Sequence, residues 1–285
     1  MTYLQNSYIL VLLSSSNYQL LYPAMYDHQT EHFSLSLFLM VNVGTLAVLF
    51  AGFKFLFPAV WAAQIATPLW IIAVTFVGVH LMNAFVEYFF HRYVLHAQVI
   101  PFFAHFYNTH NTHHKLTEVK QAVVTSNKFP IIEEPQHESS FFPWWSLAIF
   151  SLFLTPLYVL AWWYNPASPI FIAGYSAVFW SMLLYELFHA AWHWPLSTWT
   201  PLFASKRWGG LWHRIYTFHL RHHANVRCNE SVSGFFGIPL PDLLFGTYLA
   251  STTKFPDQTM VPPSEYRSPK PYVFIKLLDK ILIKK

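Results

Sequence analysis

Long runs of residues without any Asp, Glu, Lys or Arg dominate the first two thirds of the chain. Three such runs cover 34–53, 55–86 and 139–185. Since about 20 predominantly apolar residues span the hydrocarbon core of a bilayer, the first and second runs each have room for one spanning helix. The third has room for two, separated by the turn-like residues 165–169. The pattern therefore predicts four transmembrane helices arranged as two hairpins.

Prolines and tryptophans refine the limits of these spans. Pro58 and Pro68 are expected to interrupt helical structure, which places the second span at about 67–89. The pairs Trp144-Trp145 and Trp162-Trp163 bracket the third span, as Trp commonly does at membrane interfaces. A very hydrophobic soluble core is the alternative, but a run as long as 139–185 without a charge argues against it.

Composition agrees with a membrane protein: 54% of the residues are hydrophobic and 11% are charged, against about 25% charged in soluble domains. The single cysteine, Cys228, excludes a disulfide scaffold. None of the 17 Lys and Arg residues lies in 1–53 or 129–205. By the positive-inside tendency, 91–128 and the last 80 residues are expected on the cytoplasmic side, and with two hairpins both termini as well. No signal peptide and no nucleic-acid motif is recognised.

Histidine is the unusual residue, with 16 in the chain. Ten of them form four clusters: His91 and His96; His110, His113 and His114; His189 and His193; His219, His222 and His223. On a helix, residues i, i+3 and i+4 share a face, so each His-x-x-His-His is predicted to present three imidazoles to one point. Two copies of this pattern would arise by chance in about one such sequence in a thousand.

The pair His91 and His96 is five residues apart, about 140° around an α-helix. It therefore needs a helix end or a kink to converge, or its members serve two different metals. Imidazole suits zinc, copper, iron and nickel, and a metal takes four to six ligands, so ten histidines suit two ions. Glu87 and Glu186 lie one helical turn before His91 and His189. Each is predicted to accept the second ring N–H of a ligating histidine; a snorkelling interface glutamate is the alternative.

These residues resemble the fatty acid hydroxylase/sterol desaturase superfamily of integral-membrane di-iron oxygenases, and within it the fatty acid 2-hydroxylase branch. The similar segments are EYFFHRYVLH (87–96), HNTHHK (110–115), YELFHAAWH (185–193), HLRHH (219–223) and SGFFGIPLPDLLFGTY (233–248). The resemblance implies an all-α fold, with four membrane helices beneath a cytoplasmic helical cap that holds a dinuclear site. It also implies that the ten clustered histidines ligate two iron ions, with zinc as a substitute.

The resemblance implies O₂-dependent hydroxylation of a long-chain fatty acyl or sphingolipid-type substrate that enters from the bilayer. A sterol or other lipid desaturase, a carotenoid hydroxylase, and a non-catalytic metal-binding or metal-transport membrane protein remain alternatives. With only residues 1–33 before the first span, no room is expected for a fused cytochrome b5-type domain. Electrons are then expected from a separate cytochrome b5-type protein or a ferredoxin and its reductase. The expected membrane is the endoplasmic reticulum in a eukaryote and the inner membrane in a bacterium.

The expected organisation is an N-terminal segment (1–33), a membrane and catalytic domain (34–250) and a basic tail (251–285). Outside the clusters, His80 is expected to bond a neighbouring helix within the membrane, and His105 and His213 are expected to be cap or surface residues. Three arginines are expected to meet lipid headgroups or an acidic electron donor, or to be plain juxtamembrane charges: Arg92, Arg221 and Arg227.

Overall fold

Four long apolar helices coincide with the uncharged runs of the sequence. The protein is described by a computed structural model over residues 35–283. Residues 1–34 and 284–285 lie outside the described residues, and with them the expected N-terminal segment 1–33 and the expected cytoplasmic N terminus. The α-helices are α1 (Leu35–Leu56), α2 (Pro58–Ile65), α3 (Leu69–Phe90), α4 (Ala104–Leu116), α5 (Glu134–Glu138), α6 (Ser146–Tyr164), α7 (Ile170–Trp192), α8 (Leu196–Phe203), α9 (Gly209–Ala224), α10 (Leu240–Phe245) and α11 (Val273–Leu282).

Shorter elements join these helices. A π-helical turn, His91–Leu95, continues α3, and 3₁₀ turns cover Pro101–Phe103 and Pro263–Tyr266. The strands β1 (Val119–Lys120) and β2 (Ser126–Asn127) pair antiparallel, with Val119 opposite Asn127 and Lys120 opposite Ser126. The described part of the chain is therefore mostly helical with very little strand, as the sequence predicts.

Four helices of the described residues are long and apolar enough to cross a membrane: Ser36–Leu56, Leu69–Leu95, Ser146–Tyr164 and Ile170–Trp192. Four helices of suitable length and composition are what the sequence predicts. Pro58 begins α2 and Pro68 directly precedes α3, because proline lacks the N–H that a helix interior needs but is tolerated at its start. The break inside the third run falls at 165–169, between α6 and α7.

The spans pack around α7, which contacts both α3 and α6 extensively. Gly174 of α7 faces Tyr158 of α6, and a Cβ there would lie 2.8 Å from the Tyr158 ring, so this approach requires glycine. The buried side chain of Gln64 in α2 accepts hydrogen bonds from the first free N–H groups of α7, at Phe171 and Ile172, each at 3.1 Å. Such groups at a helix start otherwise lack partners.

Beyond the ends of α3 and α7 the chain forms a second layer, called here the cap (residues 96–145 and 193–283). It has its own apolar core, which includes Phe129, Tyr216, Leu220 and Phe255. Two of the three arginines expected at the surface point inward instead. Arg92 is 1% exposed and bonds Asp279 of α11, and Arg221 is 2% exposed and bonds Glu265. The expectation that they meet lipid headgroups or a partner is therefore wrong, because both charges are neutralised within the fold.

Candidate metal centre

The ten clustered histidines come together in two groups of five, and each group could hold a metal ion. Group 1 contains His91, His96, His110, His114 and His222. Group 2 contains His113, His189, His193, His219 and His223. Within each group one ring nitrogen of every residue lies within 4.8 Å of those of the other four. All five residues of group 2 and three of group 1 are buried.

The π-helical turn explains how His91 and His96 reach the same group. The backbone N–H of His96 bonds the carbonyl of His91 at 3.2 Å, which closes a turn one residue wider than an α-helical turn. Residues five apart then lie on the same side, with ring centroids 4.9 Å apart. Of the two alternatives that the spacing left open, the structure has the local distortion, and the pair belongs to one group.

Each His-x-x-His-His motif is divided between the groups, which corrects the prediction that its three imidazoles share one point. In α4, His110 and His114 belong to group 1 while His113 belongs to group 2. Consecutive residues project about 100° apart around a helix, so His113 and His114 diverge. The α4 helix lies between two groups and supplies ligands to both. In α9 the outer histidines, His219 and His223, belong to group 2, and His222 crosses to group 1.

Each half of the chain supplies four histidines to one group and one histidine to the other group. Group 1 takes four histidines from the first half and His222 from the second. Group 2 takes four from the second half and His113 from the first. In both motifs the middle histidine is the one that crosses. Neither group is complete without both halves of the protein.

Hydrogen bonds orient many of the rings. The Nδ1–H groups of His193, His222 and His223 donate to the backbone carbonyls of Phe129 (2.6 Å), Cys228 (2.8 Å) and Thr117 (3.1 Å). His91 donates likewise to the carbonyl of Glu230, and His113 to the hydroxyl of Ser140 at 2.9 Å. Because the proton is on Nδ1, the Nε2 lone pair of each ring is left for another partner.

Nε2 atoms of neighbouring rings lie close together. Whether a metal fits among them can be judged by comparing their distances with those between ligand atoms around an ion. The Nε2 atoms of His91 and His110 are 2.9 Å apart, and those of His189 and His113 are 3.1 Å apart. Ligands at right angles around an ion, at about 2.1 Å from it, would be about 3.0 Å apart. Nε2 of His193 is buried without a hydrogen-bond partner among the described residues. Lone pairs held together in this way suit a cation, so the donor set fits metal ions.

The ionisation of the histidines agrees with metal binding. Burial first, and the charge of neighbouring histidines second, hold the pKa of seven histidines well below its usual range: His96, His110, His113, His114, His219, His222 and His223. Burial lowers the pKa of His193 to about 3. These rings are uncharged at neutral pH, which is the form that coordinates metal.

The glutamates predicted to orient histidines have other partners. Glu87 accepts hydrogen bonds from the backbone N–H of Ser233 at 2.8 Å, from that of Val232, and from the Ser233 hydroxyl. Glu186 accepts from the backbone N–H of Phe142 at 2.9 Å. The hydrogen bonds found for these carboxylates thus hold cap loops against α3 and α7, rather than the ring N–H groups that sequence reasoning assigned to them.

A carboxylate that sequence reasoning missed lies nearer to a ring. Glu230 is fully buried, its carbonyl accepts from His91, and its Oε2 lies 3.9 Å from His91 Nδ1. Arg92, the neighbour of His91, donates to Glu230 at 2.7 Å. The sequence carried one signal, since Glu230 is the single acidic residue between the last histidine motif and Asp242. Asp242 in turn accepts from the backbone N–H groups of Glu230 and Ser231 at 2.9 and 2.8 Å.

A mostly apolar cavity of about 100 Å³ extends from the spans to group 1. It lies between α3, α6 and α7, and His91 and Leu95 line its cap end. Phe153 of α6 also lines it and is 54% exposed. The lining of the cavity therefore includes both a partly exposed side chain of α6 and His91 of group 1.

The remaining histidines behave largely as the sequence suggests. His80 is buried in α3 and bonds Ser181 of α7 at 2.9 Å, which confirms the expected interhelical contact. His105 is exposed, and His213 is half-buried and stacks on Phe203 with ring centroids 4.1 Å apart. Neither belongs to a histidine group.

Comparison with known proteins adds nothing to the description of the two histidine groups. The chain matches no protein-family model, no curated protein and no solved structure. Its assignment as a candidate metal centre rests on the two buried groups of histidines at the ends of apolar helices.

Proposed function

We propose that the protein is a membrane oxidoreductase that binds two iron ions and uses O₂ to hydroxylate a long-chain lipid. The observation that carries the proposal is the apolar cavity whose lining includes both a partly exposed side chain of α6 and His91 of group 1. A lipid tail would gain by burial there, since each buried methylene group contributes about 0.8 kcal/mol.

The cavity also explains how a carbon atom without a functional group would be positioned. Phe90, Phe150 and Leu154 line its walls and offer apolar contact without hydrogen bonds. Such walls hold a tail by shape and exclude water. His91 stands at the end of the cavity, with its Nδ1–H held by the Glu230 carbonyl and its Nε2 directed into group 1. The reacting carbon would therefore lie beside group 1.

The chemistry of the proposed reaction needs a metal and an electron donor. Iron, when bound, supplies the reactivity toward O₂ and unactivated C–H bonds, and the residues of the chain bind and orient. In the net reaction one oxygen atom enters the C–H bond and the other leaves as water, with two electrons from the donor and two protons. The donor is proposed to be a separate cytochrome b5-type protein or a ferredoxin with its reductase, docking on a cytoplasmic cap.

The all-nitrogen ligand set and its place favour an oxygenase over the other classes considered. A transporter would hold fewer ligands, near mid-span. Here the histidines lie where α3 and α7 end. A structural zinc site is usually closed by four ligands, whereas each group here has five. Desaturation of the same lipid by the same site is the alternative within the class, because it begins with removal of the same hydrogen.

The test uses the full chain in lipid nanodiscs, loaded with iron and supplied with a reductant and ¹⁸O₂. We expect two iron ions per chain and ¹⁸O incorporated into extracted lipid, detected by mass spectrometry. His222→Ala should bind less iron, through group 1, and lose the ¹⁸O incorporation, while His105→Ala, a histidine outside the groups, should keep both. Loss of two hydrogens without added oxygen would identify a desaturase. Iron-loaded protein that turns over no lipid in extracts from its own host would overturn the proposal.

A further inference from the structure

A polar stripe runs along one wall of the otherwise apolar cavity. Asn83, Glu87 and His91 are spaced four residues apart on α3, and all three line the cavity. Residues four apart lie above one another on a helix. Glu87 is engaged by the cap loop at 232–234 and His91 by group 1, as described above. Asn83 is the member of the stripe farthest from the metal centre.

A hydrogen-bond network determines which way the Asn83 amide faces. The hydroxyl of Ser181 in α7 donates to the carbonyl of Ala177 at 2.8 Å. Its oxygen is then left to accept, from Asn83 Nδ2 at 3.1 Å and from His80 Nδ1 at 2.9 Å. The tautomer of His80 agrees, because its Nε2 accepts the backbone N–H of Phe236 at 3.1 Å and the ring proton is therefore on Nδ1.

The network leaves one acceptor over. With its NH₂ group turned to Ser181, Asn83 presents its carbonyl oxygen, Oδ1, which is buried and has no hydrogen-bond partner among the described residues. Turning the amide around would bring Oδ1 against a hydroxyl that has already given its proton to Ala177. Asn83 is 5% exposed, and a buried carbonyl without a partner is costly. Asn83 lines the cavity, and its acceptor without a partner suits a ligand that brings a donor.

We propose that the cavity binds a lipid carrying an O–H or N–H group that donates to Asn83 Oδ1, so that Asn83 determines substrate specificity. This inference rests on the proposed function and adds the place at which a polar group of the lipid would bind. Asn83 and His91 are eight residues apart on α3 and its π-helical continuation, or about 12 Å along the helix axis. The donor group of the lipid is therefore about 12 Å from the level of His91, measured along that axis. If the reacting carbon were directly next to a carboxyl or amide headgroup, that headgroup would be too close to the reacting carbon to reach Asn83.

An ordered water molecule is the competing occupant, since the cavity is large enough to hold one. A water would satisfy Oδ1 whichever lipid is bound, and would make the protein indifferent to a donor on the lipid. The two explanations predict different lipid-binding preferences, so a binding experiment separates them and no catalytic turnover is needed.

The experiment measures photo-crosslinking to the full, iron-free chain in nanodiscs, with three diazirine-bearing probes of equal chain length. These are a long-chain alcohol, its methyl ether and a secondary N-alkyl amide. The alcohol and the ether both contain an oxygen, but only the alcohol can donate. We expect the alcohol or the amide to label peptides of 83–95 about five- to tenfold more than the ether, the ratio that one hydrogen bond provides.

The substitution Asn83→Leu should bring that ratio to about one, because it removes the acceptor and keeps the size of the side chain. Asn42→Leu is the matched control: Asn42 is a buried asparagine in α1 that does not line the cavity, and the ratio should keep its wild-type value. Equal labelling of wild type by alcohol and ether would overturn the inference and identify a water site, even if Asn83→Leu failed to fold. Since no iron or O₂ is present, failure of the proposed reaction leaves this result unaffected.

Discussion

His114 and His223 stack face to face, with ring centroids 4.1 Å apart and planes 15° from parallel, although they belong to different histidine groups. One ring stands in α4 and the other in α9. The two groups are therefore in direct contact through these two rings, and each helix supplies ligands to both groups. Loss of the helical structure of α4 or α9 is therefore expected to affect metal binding in both groups, whereas loss of a single histidine should affect its own group.

The crossing histidines give the sharpest test of the arrangement. His113→Ala should weaken metal binding by group 2, and His222→Ala by group 1, each by at least about tenfold to a hundredfold, since loss of even an indirect partner of a metal ligand costs that much. Metal analysis during titration with iron measures both affinities. If His113→Ala weakened the same group as His110→Ala, the division of the motif would be refuted.

The stability of the metal-free chain should depend steeply on pH. The histidines of the cap have folded pKa values below the value of about 6.5 that they have when unfolded. The unfolded chain therefore binds more protons, and stability falls as the pH drops below about 6.5. Each such histidine contributes up to about 1.4 kcal/mol per pH unit.

Thermal unfolding of chelator-treated protein between pH 7.5 and pH 5 measures this effect. Iron-loaded protein should be more stable at each pH but lose at least as much stability over the same range, because its ligating nitrogens stay unprotonated while the unfolded chain takes up the same protons. A flat profile for the metal-free chain would contradict the burial of these rings.

The contact between Arg92 and Asp279 should hold α11 on the protein. Arg92 donates to both carboxylate oxygens of Asp279, at 2.9 and 2.6 Å, and is itself buried. Asp279→Asn should cost about 2 kcal/mol of unfolding free energy at neutral pH, as expected for a hydrogen bond to a charged group. The exposed pair Lys120–Glu118 provides the control, and Glu118→Gln should cost less than about 1 kcal/mol.

The same contact predicts its own pH dependence. Burial alone would raise the pKa of Asp279, but the hydrogen bonds and charge of Arg92 outweigh it and hold that pKa below its usual range. The stabilisation is therefore complete above about pH 4, the value in the unfolded chain, and is lost as the pH falls through the folded pKa. The difference between wild type and Asp279→Asn should shrink below about pH 4. A difference that stays constant would point to a contact other than the ion pair.

The hydrogen bonds of Glu87 should stabilise the contact between α3 and the loop at 232–234. Glu87→Gln keeps one oxygen for the N–H groups of that loop but removes the charge and places an NH₂ group opposite the Ser233 hydroxyl, so about 1–3 kcal/mol of stability should be lost. In a chain of this size that lowers the unfolding temperature by about 2–4 °C for each kcal/mol. Glu138→Gln, at an exposed position, should change it little. Normal stability with impaired iron loading would instead return Glu87 to the role that its spacing suggested.

The four long apolar helices were predictable because length and charge decide them locally. A helix in hydrocarbon must satisfy its own backbone groups, so an uncharged run long enough to cross needs no other information. The start of α3 follows from Pro68, and the end of α6 and the start of α7 from the turn at 165–169, whereas α3 and α7 continue past Glu87 and Glu186, the charged residues that end their runs. The identity of the ten clustered histidines was equally local, because residues spaced by three and four share a side of a helix.

The division of those histidines between two groups was decided only by the tertiary structure. Spacing shows that His113 lies near His110 and His114, but the neighbours present on each side of α4 decide which group each ring joins. The π-helical turn at His91–Leu95, the approach of Glu230 to His91, and the free acceptor of Asn83 likewise depend on residues distant in sequence. The sequence by itself determined which residues bind metal in our proposal and where the helices run. The packing of α3, α4, α7 and α9 decided which ring faces which, because direction in space is set by contacts between elements rather than within them.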